Sequence, residues 1–253
     1  AHRGHVSMVG FTAVLPSAAG RIMERELKSL SKALEKPEKP SVYVMGGAKA
    51  DDSLEISKYV LGNGIADYVL VGGVTGQLFL AAKGVELGKG NMAFLEKKEL
   101  TGLIPGIKAL EEQFGAKVMV PVDLALDMEG KRKEIPVSKL PSENSVLDIG
   151  AKTVEAYAKI ISVAKSIVVS GPMGVYENKE FNYGTKKVLE AIANSKAFSL
   201  AGGGNTIAAI EEYGLTKKIS YISTAGGALI EFLMGKKLPG VVALENAVKN
   251  KKI

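Results

Sequence analysis

Lys49 stands directly after a short apolar run, in "SVYVMGGAKADD" (residues 41–52). A lysine at the end of a strand can reach into the crevice beyond it as a mobile positive charge. A cation is mildly unfavourable at a helix N-terminus, so its placement is easier to explain beside an anion. The other reading is a solvated helix-start lysine. Asp51 and Asp52 follow; they could hold Mg²⁺ through water or favour the start of a helix, and the structural role weighs more at Asp51. Glycine clusters close four more such runs: Gly72 and Gly73, "SGPMG" (170–174), "AGGGNT" (201–206) and "TAGG" (224–227). Glycine there lets backbone approach a ligand, and the next helix offers free N–H groups to a phosphate. The clearest case is Gly202, Gly203 and Gly204 followed by Asn205 and Thr206. Either Asn205 or Thr206 can cap the helix, and the Thr206 hydroxyl can donate to an anion. Gly226 and Gly227 make a second phosphate-sized turn, and two in one sheet suggest a polyphosphate. A single one would say little, because tight strand–helix turns need glycine for steric reasons.

Both histidines, His2 and His5, lie at the start of the chain, flanking Arg3. They could be a metal clip, an anion site or an expression scar. No cysteine and no third histidine exist to complete a metal clip. Other chemistries lack their motifs. There is no G-x-x-x-x-G-K-[ST], no G-x-G-x-x-G at the first strand–helix turn, no H-E-x-x-H, and no serine at a nucleophile elbow in "GPMGVYE".

The elements that must position these turns alternate along the chain. Apolar runs at 41–47, 66–73, from 117, 166–174, 197–204 and 220–227 are each followed by helical patterns, except that from Lys117, read as one run "KVMVPVDLAL". Continuous apolar strands alternating with helices predict a doubly wound α/β fold, with a parallel sheet of about six strands covered on both faces. Ahead of the sheet, Met23, Leu27, Leu30 and Leu34 share one face of a helix that Pro37 and Pro40 stop. Residues 128–145 are polar with two prolines and read as a surface hairpin or loop; residues 246–253 read as a frayed basic end.

Composition bounds the function classes. Hydrophobic residues are 46% of 253, enough for a sizeable core. The absence of cysteine excludes disulfides and thiolate metal sites and points to a reducing, cytoplasmic setting. Neither a signal peptide nor an apolar stretch of about 18 residues is visible, so no membrane association is expected. The net charge of +6 favours anionic partners. With no tryptophan, 6% aromatics and scattered lysines, a small phosphorylated ligand fits better than nucleic acid.

With these turns in order, the chain resembles phosphoglycerate kinase. The matching stretches are "AHRGHVSMVGF", "GGAKADDSL", "VLVGGVTGQLF", "PVD", "LDIGAKT", "SGPMGVYE", "FNYGTKKV", "AGGGNTIAAI" and "STAGGALIEFLMGKKLPGVVAL". The resemblance implies a Rossmann-like, three-layer α/β/α fold. It implies the end of a substrate domain at residues 1–20, a connecting helix at 21–36, a nucleotide-binding domain at 37–240 and a C-terminal tail at 241–253. By the same resemblance Gly46, Gly47, Ala48, Gly72 and Gly73 would line an adenine pocket, with Met173 and Val175 on its apolar side. Glu177 would hold the ribose. Lys49 would sit on the transferring phosphoryl group. Gly203, Gly204, Thr206, Gly226 and Gly227 would offer donors to the phosphates of ATP or ADP. Arg3 would belong to the 3-phosphoglycerate site, with His2 and His5 as its neighbours. Mg²⁺ would accompany the nucleotide, met by Asn205, and the protein would be a monomer. The sequence departs from the family at Asn205, in place of an acid; at Ser53, in place of a second lysine; and at Ser170 and Ala225. The implied activity is phosphoryl transfer between ATP and 3-phosphoglycerate; the alternative is an adenine-nucleotide-binding module without turnover.

Overall fold

The computed structural model describes residues 1–249. The chain opens with α1 (Val6–Val9), a short 3₁₀ turn and α2 (Arg21–Leu34). It then runs β1 (Ser41–Met45), α3 (Ala50–Gly62), β2 (Tyr68–Val71), α4 (Gly73–Ala82), α5 (Lys89–Lys97), α6 (Ile104–Phe114) and β3 (Val118–Met119). Next come β4 (Asp123–Met128), β5 (Lys131–Pro136), β6 (Val146–Ile149), α7 (Ala151–Val163), β7 (Ser166–Ser170) and α8 (Tyr183–Asn194). It closes with β8 (Phe198–Gly202), α9 (Gly204–Glu212), β9 (Tyr221–Ile222), α10 (Gly227–Leu233) and α11 (Pro239–Lys249).

Six strands form one parallel sheet in the order β3-β2-β1-β7-β8-β9. These are the six runs read from the sequence. Side chains alternate across it, as the two-residue period of a strand requires. Tyr43 and Met45 of β1 point into one core with α2, α3, α4 and α10. Val42 and Val44 point into the other, with α7, α8 and α9. Both faces are therefore dry, and the fold is the three-layer α/β/α arrangement.

Two expectations are corrected. The run "KVMVPVDLAL" is not one strand. Pro121 has no N–H to give a ladder; β3 ends at Met119, and β4 leaves to pair antiparallel with β5 and β6 in a separate three-stranded sheet. The polar excursion expected at 128–145 thus holds a hairpin, turning at Glu129 and Gly130, whose second strand is β5. The C-terminal end also differs. Residues 246–249 do not fray but complete α11, because Ala247 is buried and the helix packs on α1 and the 3₁₀ turn, with the Gly240 N–H donating to the Ala1 carbonyl (2.9 Å). Residues 250–253 of that expected tail lie outside the described residues. Among the described residues no helix is long and apolar enough to cross a membrane.

Tyr157 of α7 closes the carboxyl ends of β2 and β3. Its hydroxyl lies 2.7 Å from the Val71 carbonyl and 2.8 Å from that of Met119, and burial holds its pKa well above the usual phenol range. Replacing it with phenylalanine leaves one buried and one half-buried acceptor without that donor. Tyr157→Phe is expected to lower stability by about 1–2 kcal/mol, read as a lower urea midpoint at unchanged slope. An unchanged midpoint would mean that the hydroxyl contributes nothing.

Candidate functional site

The sheet order reverses between β1 and β7. The chain continues from β1 towards β2 and β3 on one side, then returns beside β1 and goes on to β8 and β9 on the other. In open α/β sheets the ligand crevice lies outside the carboxyl ends of the strands at this switch point. Here the two turns that leave β1 and β7 touch. The Gly46 N–H donates to the Ser170 carbonyl (2.9 Å), and the Gly47 N–H to that of Pro172 (2.7 Å). A β-carbon on Gly46 would lie 2.2 Å from the Pro172 oxygen, inside the van der Waals limit, so only glycine allows this approach.

Above the contact lies an open cleft of about 630 Å³. The sequence-predicted residues Gly46, Gly47, Ala48, Lys49, Gly203, Gly204, Asn205, Thr206, Gly226 and Gly227 all line it, and so does Ser170. Four turns, from β1, β7, β8 and β9, therefore converge on one space. Lys49 is the N-cap residue of α3, with Asp51 and Asp52 in the first helical turn. Asp52 also lines the cleft. Burial and the neighbouring Asp51 push its carboxyl above the usual range, while Lys49 and Lys236 pull it back.

The α9 turn is built differently from the expectation. Gly203 is its N-cap, and no side chain caps it; Asn205 and Thr206 lie within the first helical turn instead. Among the described residues the amides of Gly203, Gly204 and Asn205 make no hydrogen bond, which leaves them free for an anion. The Thr206 hydroxyl accepts the N–H of Gly171 (2.7 Å) and so ties this turn to the β7 turn, keeping its own proton for an acceptor. Ser53 is buried, and its hydroxyl donates to the Lys49 carbonyl (3.2 Å), fixing the first turn of α3.

Other predicted residues sit beside the cleft rather than in its lining. The Gly73 N–H donates to the Met173 carbonyl (2.8 Å). Met173 is buried, its sulfur packed where a Gly72 β-carbon would be, so it forms the layer behind Gly46 and Gly72. Val175 and Glu177 are exposed on the turn after β7, which is held to β6 by the Val175 N–H and the Leu147 carbonyl (2.8 Å). Arg3 and His5 are exposed and do not line the cleft, whereas His2 does, its ring next to Gly227.

Three groups escaped the sequence reading. Gly171 and Pro172 line the cleft within "SGPMG", a turn flagged in the sequence without these two residues being singled out. Glu26, on α2, is buried; it accepts the Ser223 hydroxyl (2.8 Å), the Thr224 N–H (2.7 Å) and the Thr224 hydroxyl (3.1 Å). It thereby anchors the loop that leads to Gly226 and Gly227. The signal was available: an acid at 26 falls between Met23, Leu27 and Leu30 on the apolar face of the helix. The third group is Lys236, which lines the cleft from beyond the end of α10.

A family model described as phosphoglycerate kinase matches residues 1–236. The chain belongs to the phosphoglycerate kinase family. It is 45% identical over 249 residues to the phosphoglycerate kinase of Methanothermus fervidus, covering 98% of this chain and 60% of that relative. With the phosphoglycerate kinase of Pyrococcus furiosus the identity is 47%, covering 97% of this chain and 60% of the relative. The fold superposes on the crystal structure of phosphoglycerate kinase from Pyrococcus horikoshii OT3 with a TM-score of 0.91 at 40% identity, over 98% of this chain and 62% of that one. For the Coxiella burnetii phosphoglycerate kinase structure the TM-score is 0.88 at 34% identity, over 97% and 63%. The chain thus spans about 60% of the length of the curated relatives it matches.

Behind the Val175–Glu177 turn sits a buried carboxyl group that bears on the pH response of the chain. Asp148 of β6 accepts Arg132 (2.7 Å) and the Gly184 N–H (2.7 Å), and its other oxygen is buried without a partner against Gly174. Burial outweighs these contacts and raises its pKa to about 6. A carboxyl whose pKa is raised on folding stabilises the fold most when protonated. Its contribution is complete below about pH 4, the unfolded value, and is lost as the pH rises through about 6. Asp148→Asn is expected to remove this dependence. Urea midpoints of the two proteins, followed from pH 4 to 7, should shift in the variant's favour as the pH rises; parallel curves would contradict the assignment.

Proposed function

We propose that this chain is the nucleotide-binding half of a phosphoglycerate kinase, which transfers a phosphoryl group reversibly between ATP and 3-phosphoglycerate to give ADP and 1,3-bisphosphoglycerate. The observation that carries the proposal is the convergence of four glycine turns and Lys49 on one cleft at the switch point of the sheet, in a chain of this family. Residues 37–240 would be the nucleotide-binding domain, 21–36 the connecting helix, 1–20 the end of the substrate domain and 241–253 the C-terminal tail. The reading extends to a monomer working in the cytoplasm, with no nucleic acid or membrane as partner.

Phosphoryl transfer asks little covalent chemistry of a protein; it asks for positioning and for charge stabilisation. The chain's residues suit both demands. Gly46, Gly47, Ala48, Gly72 and Gly73 present flat backbone to the adenine, backed by Met173 and edged by Val175, and Glu177 takes the ribose hydroxyls. The free amides of the 203–205 turn, the Thr206 proton and the Gly226–Gly227 turn donate to the phosphates. Lys49 stabilises the charge on the moving phosphoryl group. Arg3 binds the carboxylate or phosphate of 3-phosphoglycerate.

The donor set fits a magnesium ion carried by the nucleotide rather than by a protein cage. Among the described residues no group of three His, Cys, Asp or Glu side chains could hold a metal, and Asn205 is exposed at the α9 turn with one neutral carbonyl to offer. When bound, Mg²⁺ would neutralise phosphate charge, with Asn205 orienting it.

Calorimetric titration of the chain with MgADP and MgATP tests the proposal. Binding of both is expected, with Lys49→Met weakening MgATP about tenfold, the loss of one charged contact, and leaving AMP unchanged. Absence of binding by the unaltered, folded chain would overturn the proposal. Clear turnover by the chain alone in a coupled assay with 3-phosphoglycerate would rule out the module without activity. Little or none is expected of the chain alone, because positioning and exclusion of water need a surface facing the cleft.

A further inference from the structure

We propose that Lys236 is a second phosphate-binding cation of the cleft, holding the terminal phosphates of a nucleoside di- or triphosphate together with Lys49. The proposal rests on the nucleotide reading above and adds a residue to it. The first turn of α3 offers only one cation, because Ser53 is buried and its hydroxyl is spent on the Lys49 carbonyl. The lining of the cleft nevertheless contains a second lysine, on a different element.

Local chemistry fixes where Lys236 emerges. Helix α10 ends in a left-handed turn at Gly235 (φ +74°). The Gly235 N–H donates to the Phe232 carbonyl (2.9 Å), and the Lys236 N–H to that of Glu231 (3.0 Å). These two bonds form the helix-ending motif that leaves the next residue pointing across the helix terminus. The turn is pressed against α3: a β-carbon on Gly235 would lie 2.1 Å from the Tyr59 ring. Tyr59 and Asp52 belong to the same helix, and Lys49 caps it. The root of Lys236 is thus pinned to the helix that carries the other lysine.

The charge of Lys236 is also uncommitted. Among the described residues neither Lys49 nor Lys236 makes an ion pair within 4 Å. Both act on the half-buried Asp52 without contacting it. The lining also carries two carboxylates, Asp52 and Glu231, so what the cleft offers a pyrophosphate or triphosphate is two unpaired ammonium groups beside turns with free amides rather than an excess of positive charge.

The test is a set of calorimetric titrations of the full chain with ADP, AMP and inorganic tripolyphosphate. Lys236→Met is expected to weaken ADP and tripolyphosphate about tenfold and AMP by less than about twofold. Lys236→Arg should restore most of the loss. Lys237→Met, the same charge change at an exposed neighbour that does not line the cleft, should behave as the unaltered chain. Equal losses for ADP and AMP, or none, would overturn the proposal. If the unaltered chain binds tripolyphosphate through Lys236 but not ADP, the nucleotide reading fails and the cation assignment stands. If it binds neither, both fail.

Discussion

The turns that leave β1 and β7 approach until backbone meets backbone, Gly46 against Gly171 and Pro172. The rest of the site depends on this contact. It occurs where the sheet reverses its order, so it welds the two halves of the fold at their carboxyl edge. It also clears the ground above it: with no side chain at 46 or 47, the floor of the cleft is peptide. Around that floor the remaining pieces are tied inward. Thr206 binds the β8 turn to Gly171 through its hydroxyl, and Met173 fills the space behind Gly46 and Gly72.

A second set of tethers reaches the site from elements outside the sheet. Glu26 joins α2 to the loop before Gly226 by three hydrogen bonds, with the carboxylate buried. A buried carboxylate with charge-assisted partners is costly to leave unpaired. Displacement of α2 and of the 223–227 loop are therefore coupled. The small sheet of β4, β5 and β6 supports the other flank. Its Asp148 and Arg132 stand behind the Val175–Glu177 turn, and Arg132 lies over the Tyr183 ring at the start of α8 (5.1 Å). The cleft is thus open in the middle and held at both edges.

Most of this was legible in the residues. Every parallel strand except β3 is a short apolar run that leads into glycine, and two-sided burial gives such runs their continuous hydrophobicity. The glycine turns were legible for the same reason: close approach leaves no room for anything else. Legibility failed where tertiary pairing decides. Nothing local in "KVMVPVDLAL" tells which sheet each half joins; Pro121 marks the break, but the partners of β4 lie downstream. The tail looked frayed and basic because the elements that its helix packs on, α1 and the 3₁₀ turn, are at the other end of the chain. Asn205 and Thr206 looked like caps because both types favour that position, yet Gly203 takes it. Lys236 was hidden among scattered surface lysines, and only the packing of Gly235 on Tyr59 shows where it stands.

The central claim is one of orientation: adenine against the glycine-lined end at Gly46, Gly72 and Met173, phosphates at the 203–206 and 226–227 turns. A co-crystal of the chain with ADP carrying bromine on its adenine ring tests it directly by anomalous scattering. The account predicts a single bromine peak beside Gly72 and Met173, with phosphate density on the amides of Gly203, Gly204 and Asn205. A bromine peak at the α9 turn, or one outside the cleft, would contradict it.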